Sequence, residues 1–253
     1  MSIRDLIAVL VVAVLAVAAW EFLPPFFRVP KYIIPTFSQT ASELLRMAQS
    51  ENLLRHTLST AVMTTIGFLV GSLLGAAGGY LLGMSQFWER ILSPYILGLQ
   101  IAPKVAFAPL FIMWFGYTFW PKLLVTILIV FFPILVNVLQ SMKTVDRDMI
   151  NLARAYSMSR GQIFWKVEFP ASLPALMAGL RIGATLAVIG VTVGELVGGN
   201  TGLGYLITYA EGQANAAMVF NAIMLLTVIG IVLYAAVAAV ETRVLHYIPK
   251  ARK

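Results

Sequence analysis

The chain has 253 residues, of which 60% are apolar and only 11% charged, and its formal net charge is +7. Soluble domains contain about 45–50% apolar and about 25% charged residues, so this composition indicates a membrane protein and excludes a soluble domain or a disordered chain. There is no cysteine, and His56 and His246 are the only histidines, which excludes disulfides and thiolate sites and predicts no metal site.

Six runs of mostly apolar residues predict six membrane-spanning helices, because one span needs about 20 such residues. The first run is extended past Glu21, the third encloses Lys104, and the fifth encloses Arg181 and Glu195. The predicted fold class is an all-α membrane protein with one transmembrane domain over residues 1–253. Its predicted spans are residues 6–23, 57–83, 91–116, 122–142, 172–197 and 217–241.

The basic residues are divided unevenly between the two sides of these spans. Most lie on the side of the N-terminus, among them Arg4, Lys250, Arg252 and Lys253. Because loops rich in Lys and Arg stay inside, this asymmetry predicts a multi-pass protein of the cell (inner) membrane with both termini in the cytoplasm. The basic residues do not cluster on a solvated domain, so we expect no nucleic-acid partner.

The first span has two interpretations. Arg4 followed by an apolar stretch resembles a cleaved signal peptide, whereas Pro24 and Pro25 favour the end of a membrane-spanning helix. Residues 26–56 then predict an outer-side segment that contains a short helix capped by Ser38.

The second span carries a glycine at every fourth residue. Small residues at this spacing let a neighbouring helix approach closely, and the drift of the stripe around the helix favours a right-handed crossing. A hinge is the alternative interpretation. The five glycines are Gly67, Gly71, Gly75, Gly79 and Gly83.

Polar side chains inside spans are costly, so they usually face a cavity or a partner. Arg181 and Glu195 are about 21 Å apart along one helix and cannot pair with each other. We expect the following residues to line or gate a pathway: Gln100, Lys104, Asn137, Arg181 and Glu195. Prolines at positions 103, 109 and 133 predict kinks in the third and fourth spans.

The longest predicted cytoplasmic connection, residues 143–170, has a different character. Apolar residues recur at i, i+3, i+4 and i+7, which predicts an amphipathic helix with one stripe formed by Met149, Leu152, Ala153 and Tyr156. Ser159 is placed to cap a second short helix, and Pro170 and Pro174 predict its end. The stripe either lies on lipid or docks into another protein.

This loop resembles the "EAA" signature of permease subunits in binding-protein-dependent ABC importers. Residues 151–153 (Asn-Leu-Ala) stand at the Glu-Ala-Ala triplet, Ser157 at the glycine and residues 167–170 (Val-Glu-Phe-Pro) at the closing Ile-x-Leu-Pro, all with the signature's spacing. The segments PKVAFAPLFIMWFG, GLRIGATLAVIGVTVGE and TGLGYLI are similar to the sulfonate, taurine and nitrate permeases and to their relatives that import riboflavin or pyrimidine thiamine precursors.

The resemblance implies a type I ABC importer permease fold with cytoplasmic coupling helices. It further implies a second permease copy, a cytoplasmic ATPase dimer that binds ATP and Mg, and an external solute-binding protein that delivers a heterocyclic vitamin precursor or a sulfonate-like anion. The chain itself has no G-x-x-x-x-G-K-[ST] phosphate loop, so we expect no enzyme activity and no cofactor on it. The residues implied to dock on the ATPase are Met149, Asn151, Leu152, Ala153, Arg154, Tyr156 and Ser157.

Two other functions fit a six-span chain. A secondary transporter or channel works without an ATPase, but a proton-coupled carrier is expected to place acids near the bilayer midplane. A membrane enzyme needs converging nucleophiles, acids or metal ligands, and none converge in the sequence. Only the importer requires the cytoplasmic loop as a docking element.

Overall fold

The computed structural model describes residues 3–246 of the chain. Within that range it is helical, with no strand. The helices are α1 (Ile3–Phe26), α2 (Phe37–Ser50), α3 (Leu53–Gly83), α4 (Gln86–Ile101), α5 (Ala108–Phe115), α6 (Trp120–Lys143), α7 (Arg147–Ala155), α8 (Arg160–Ile163), α9 (Phe169–Gly198), α10 (Leu203–Gly212) and α11 (Ala216–Val244). Three basic residues used to predict the orientation, Lys250, Arg252 and Lys253, lie outside the described residues.

Five helical stretches among the described residues are long and apolar enough to cross a membrane. They are α1, α3, α6, the continuous stretch Arg160–Gly198 and α11. A sixth candidate is the pair formed by α4 and the stretch Lys104–Phe115, which bends by 82°. Pro103 lies at the bend. Proline removes a backbone donor and its ring crowds the preceding turn, which explains why the helix breaks there.

The predicted end of the second loop helix at Pro170 and Pro174 is wrong. The chain remains helical from Arg160 to Gly198, and both prolines lie inside this stretch. A π-helical turn, Phe164–Glu168, directly precedes Pro170. A wider turn leaves the local carbonyls without their usual partners and makes room for the proline ring, so the helix continues.

The described residues fall into two compact units, one within Met1–Thr60 and Asn200–Thr227 and the other within Ala61–Gly199 and Val228–Lys253. In the first unit α1 and α2 are joined by polar contacts. The indole Nε1 of Trp20 donates to the Pro35 carbonyl at 2.9 Å, and the carboxylate of Glu21 accepts from the backbone and hydroxyl of Ser38 at 2.9 and 2.8 Å. Ser38 was predicted to cap α2, but the N-cap is Thr36, with Gln39 completing a capping box.

Side chains of α3 satisfy the first backbone donors of α10, also within the first unit. The Gly202 N–H donates to Nδ1 of His56 at 3.0 Å, and the Leu203 N–H donates to Oγ1 of Thr60 at 2.8 Å. Since the first amides of a helix have no partner within it, these two side chains stabilise the start of α10.

The second unit is built around α6. Val130 and Ile134 of α6 are fully buried against Ala184 and Ala187 of α9 and against Phe68 of α3. In a further apolar cluster, Ala108 of α5 is buried against Val125 and Ile129 of α6, and the partly buried Leu186 and Val193 of α9 pack against them. Helix α6 therefore supplies the centre of this unit's core.

Two of the helices that pack on α6, namely α3 and α9, approach it through glycines. On α3, a Cβ at Gly75 would lie 2.6 Å from the Phe131 carbonyl oxygen, and one at Gly79 would lie 2.8 Å from that of Leu135. On α9, a Cβ at Gly190 would lie 2.7 Å from the Cα of Thr126. Real Cβ atoms essentially never lie this close to other atoms. The helices can approach each other this closely only because glycine has no side chain.

Candidate functional site

Helix α7 is the first part of the predicted docking loop, and its N-terminus is well capped. The side chain of Asp146 accepts a hydrogen bond from the Asp148 N–H at 2.8 Å, and both acids favour the positive end of the helix. Three large apolar side chains point away from the protein: Met149 is 53%, Leu152 56% and Tyr156 74% exposed. Three such side chains side by side on one short helix indicate a surface that contacts another protein or lipid.

Ala153 was predicted to belong to this stripe, and the structure corrects that assignment. Ala153 is 5% exposed and lies on the inner side of α7 next to the half-buried Ile150. At about 100° per residue, Ala153 lies some 40° from Met149 in the direction of Ile150, which is the side that faces the protein. The exposed stripe therefore consists of Met149, Leu152 and Tyr156, and Ala153 anchors the helix.

Asn151, Arg154 and Ser157, the other predicted docking residues, are exposed. Ser157 has φ +55° and directly follows Tyr156, the C-cap residue of α7. Its N–H donates to the Arg154 carbonyl at 2.8 Å, and the Met158 N–H donates to that of Ala153 at 3.1 Å, which is a Schellman motif. The left-handed conformation explains why the signature has glycine at this position, where only glycine is free of steric cost.

The second part of the loop is fixed to α3 by aromatic rings. Ser159 caps α8 as predicted, with its side chain accepting from the Gln162 N–H. The ring of Tyr80 lies 5.5 Å from those of Phe164 and Phe169, and its hydroxyl is 3.0 Å from Oγ of Ser172. This cluster connects the loop rigidly to the end of α3, a connection that the sequence pattern did not indicate because the residues are far apart in the chain.

Two predicted pathway residues meet at the bend between α4 and α5. The ammonium of Lys104 donates to the carbonyl of Gln100 and lies 5.2 Å from the centre of the Phe132 ring. A cation beside the last carbonyls of a helix and over an aromatic face is favourable on both counts. Both residues are half-buried.

The other predicted pathway residues lie apart from that bend. Asn137 donates to the Pro133 carbonyl at 2.8 Å, and Glu195 is fully buried and engaged in an interaction within the protein. The guanidinium of Arg181 pairs with the carboxylate of Glu241 on α11 at 3.1 Å, a partner that no pattern in the sequence indicates. Among residues 3–246 no group of acids and histidines is placed to hold a metal ion.

Sequence comparison identifies relatives over nearly the whole chain. Residues 67–246 match the family described as "Binding-protein-dependent transport system inner membrane component". The chain is 34% identical to a probable ABC transporter permease protein of Haemophilus influenzae, covering 92% of this chain and 94% of that protein. It is also 34% identical to the formylaminopyrimidine transport permease protein ThiX of Halalkalibacterium halodurans, covering 90% of each.

Structural comparison agrees at the level of the fold. A chain of the MetNI methionine ABC transporter, in an inward-facing conformation, superposes with a TM-score of 0.65 at 22% identity and covers 78% of this chain and 98% of its own. The predicted fold class, an all-α membrane protein with the type I importer permease fold, is therefore confirmed.

Proposed function

We propose a mechanism from one premise: this chain belongs to the family of binding-protein-dependent transport system inner membrane components, and it is the permease subunit of an ATP-driven ABC importer. In our proposal residues 1–253 act as one transmembrane domain that pairs with a second copy of itself. ATP and Mg bind to a separate ATPase dimer, because this chain has no phosphate loop of its own.

The observation that carries the proposal is the exposed apolar stripe of α7. Met149, Leu152 and Tyr156 present a convex surface that suits a groove on an ATPase, with Asn151 and Arg154 beside it. Ala153 and the two caps hold the helix in place, so little conformational entropy is lost when the partner binds.

The loop is also built to pass a displacement on to the membrane. The rings of Tyr80, Phe164 and Phe169 pack together, so a movement of the loop is transmitted to α3. The glycine contacts between α3 and α6 then carry it to the centre of the second unit, since closely packed helices shift as rigid bodies. In this mechanism ATP binding by the partner changes the accessibility of the pathway.

Two observations support the substrate class that we infer, one from the relatives and one from the bend. ThiX, a transport permease for formylaminopyrimidine, is as similar to this chain as any relative described above. Gln100 offers an amide and Lys104 a cation beside the aromatic ring of Phe132, a combination that suits a flat heterocycle with hydrogen-bonding groups. We infer a small heterocyclic nutrient delivered by an external solute-binding protein, and a sulfonate, taurine or nitrate anion is the competing substrate.

The same proposal places the chain in the cell (inner) membrane with α7 on the cytoplasmic side and both termini inside. The support is the excess of Lys and Arg on that side. Cysteine-accessibility labelling tests it, because the chain has no native cysteine. A cysteine at exposed Asn151 should react only with permeant reagents, and one at exposed Leu45 should also react with impermeant ones.

The function is tested by purifying the tagged chain in mild detergent from its native cell and identifying its partners. A complex of two permeases with two ATPase chains is expected. Leu152→Asp, which puts a charge into the stripe, should reduce ATPase retention by more than tenfold, as expected for a residue at the centre of an interface.

Leu45→Asp is the matched control, because Leu45 is 68% exposed on the other short amphipathic helix, α2, and Leu152 is 56% exposed. ATPase retention should be unchanged in this variant. Equal retention in both variants, or a permease that repeatedly purifies alone in good yield, would contradict the docking role and favour a carrier that works without an ATPase.

A further inference from the structure

A large cavity lies behind the docking stripe, on the side of α7 that faces the protein. Its volume is about 950 Å³, and it is bounded by the turn after α3, the end of α6, α7 and the start of α8. Five basic side chains line it: Arg90, Lys143, Arg147, Arg154 and Arg160. Arg154 also lies beside the docking stripe, but neither transport nor ATPase docking as proposed here uses the other four.

The carboxylates around the cavity do not balance this charge. Glu89 pairs with Lys143 at 2.5 Å, and Glu168 is close enough to interact electrostatically with Arg160 and Arg154. Arg90 and Arg147 form no ion pair with any residue in the described part of the chain. Like charges around one cavity repel, so an anion bound there would lower the electrostatic energy.

The same cavity has apolar walls. Met142, Met158, Phe87 and Ile163 line it beside the arginines. A site that combines guanidinium groups with methionine and aromatic side chains suits a ligand with an anionic head and an apolar body, because arginine binds phosphate oxygens in pairs and methionine adapts to flexible chains.

The position of the cavity along the spans indicates the source of such a ligand. Gly83 ends α3 and Met142 lies in the last turn of α6, so the cavity lies where two candidate spans leave the membrane. Phe87 and Trp88, which follow α3, are 65% and 55% exposed, as expected for aromatic residues at the membrane interface. Lipid headgroups are concentrated at this depth.

We propose that this cavity binds the phosphate group of an anionic membrane lipid, with Arg90 and Arg147 as its principal ligands and the acyl chains against Met142 and Phe87. The bound lipid fills the space between α7 and the ends of α3 and α6, and so holds the docking helix in position. The proposal is independent of the transported substrate.

The test uses the full-length chain in lipid nanodiscs of phosphatidylcholine and phosphatidylglycerol in equal amounts, followed by native mass spectrometry. We expect selective retention of phosphatidylglycerol. The double variant Arg90→Gln, Arg147→Gln should weaken retention by roughly tenfold for each arginine removed, the usual worth of a charge-assisted hydrogen bond. Arg90→Gln alone, at an exposed position, is the milder variant if the double one folds poorly.

The matched control is Lys166→Gln, Arg243→Gln, which removes the same charge from exposed basic residues outside the cavity. It should leave retention unchanged. Equal losses in the two double variants would show nonspecific attraction and overturn the proposal. So would displacement of the lipid by inorganic phosphate at equal concentration, or loss of the lipid on binding the ATPase, which would assign the cavity to free phosphate or to an acidic surface of the partner.

Discussion

The guanidinium Nε of Arg181, on α9, lies 3.1 Å from Oε2 of Glu241, on α11. The two residues are 60 positions apart. Glu195, the acid within α9, is about 21 Å farther along the helix and cannot pair with Arg181. The ion pair therefore explains why a charged residue stands at position 181 within a span: Arg181 connects α9 to α11. Its side chains are 38% and 17% exposed, between the exposed and the buried extremes.

Replacing either partner of this pair should destabilise the permease. We expect Arg181→Gln or Glu241→Gln to cost about 1–2 kcal/mol, between the values for exposed and for buried pairs. The measurement is the thermal midpoint in detergent. Arg243→Gln, at an exposed position two residues from Glu241, should leave the thermal midpoint unchanged. If the double charge exchange Arg181→Glu, Glu241→Arg does not restore any of the lost thermal midpoint, the loss in the single variants is not caused by breaking the ion pair.

Two serines that flank the turn between α7 and α8 should respond in opposite directions. Ser157→Gly relieves a left-handed residue and should stabilise the folded loop by about 1 kcal/mol. Ser159→Ala removes the N-cap of α8 and should destabilise it by a similar amount. Hydrogen exchange of residues 147–163 measures both effects, and equal protection in the two variants would contradict them.

The glycine face of α3 should not tolerate a methyl group. In Gly75→Ala the new Cβ meets a backbone carbonyl 2.6 Å away, which cannot rotate aside, so we expect a net loss of about 1–2 kcal/mol despite the better helix propensity of alanine. Gly75→Leu should be more severe.

Gly98→Ala in α4 is the control for that series, because no atom lies within 4 Å of the added Cβ. It should keep or raise the thermal midpoint. If the two alanine variants have the same thermal midpoint, the close approach of α3 and α6 at Gly75 is not required for stability.

Acid should loosen the contact between α2 and the segment before α11. The Arg46 guanidinium hydrogen-bonds the Glu43 carboxylate at 2.6 and 2.9 Å and so lowers the pKa of that group, with a smaller contribution from Asn215 at 2.7 Å. In the unfolded chain glutamate titrates at about 4.3, and in the folded protein the pKa of Glu43 is lower. The stabilisation is therefore complete above the unfolded value and is lost as the pH falls through the folded value.

Arg46→Gln should therefore raise the pH at which residues 37–50 lose their protection from hydrogen exchange. Arg55→Gln removes an equal charge from an exposed position in the same unit and should not shift it. A shift of the same size in both variants would mean that net charge, and not the Glu43–Arg46 contact, sets the acid response.

The local features of this chain are largely readable from its sequence. Apolar run lengths predict the spans, because the thickness of the bilayer demands about 20 residues whatever the neighbours are. The bend at Pro103 and the cap at Ser159 follow equally from local stereochemistry. Even the exposed stripe of Met149, Leu152 and Tyr156 is visible as a helical period, since it depends only on 3.6 residues per turn.

Only the tertiary structure shows which residues and helices contact each other. The spacing of Gly75 and Gly79 predicts a close contact, but only the fold identifies α6 as the helix in contact and shows that glycines of α9 approach α6 as well. The direction of Ala153, the partner of Arg181 and the arginine-lined cavity depend likewise on residues distant in sequence. Periodicity specifies which side of a helix carries small, apolar or charged residues. Which element contacts that side is decided by the packing between helices, and no local sequence pattern encodes that packing.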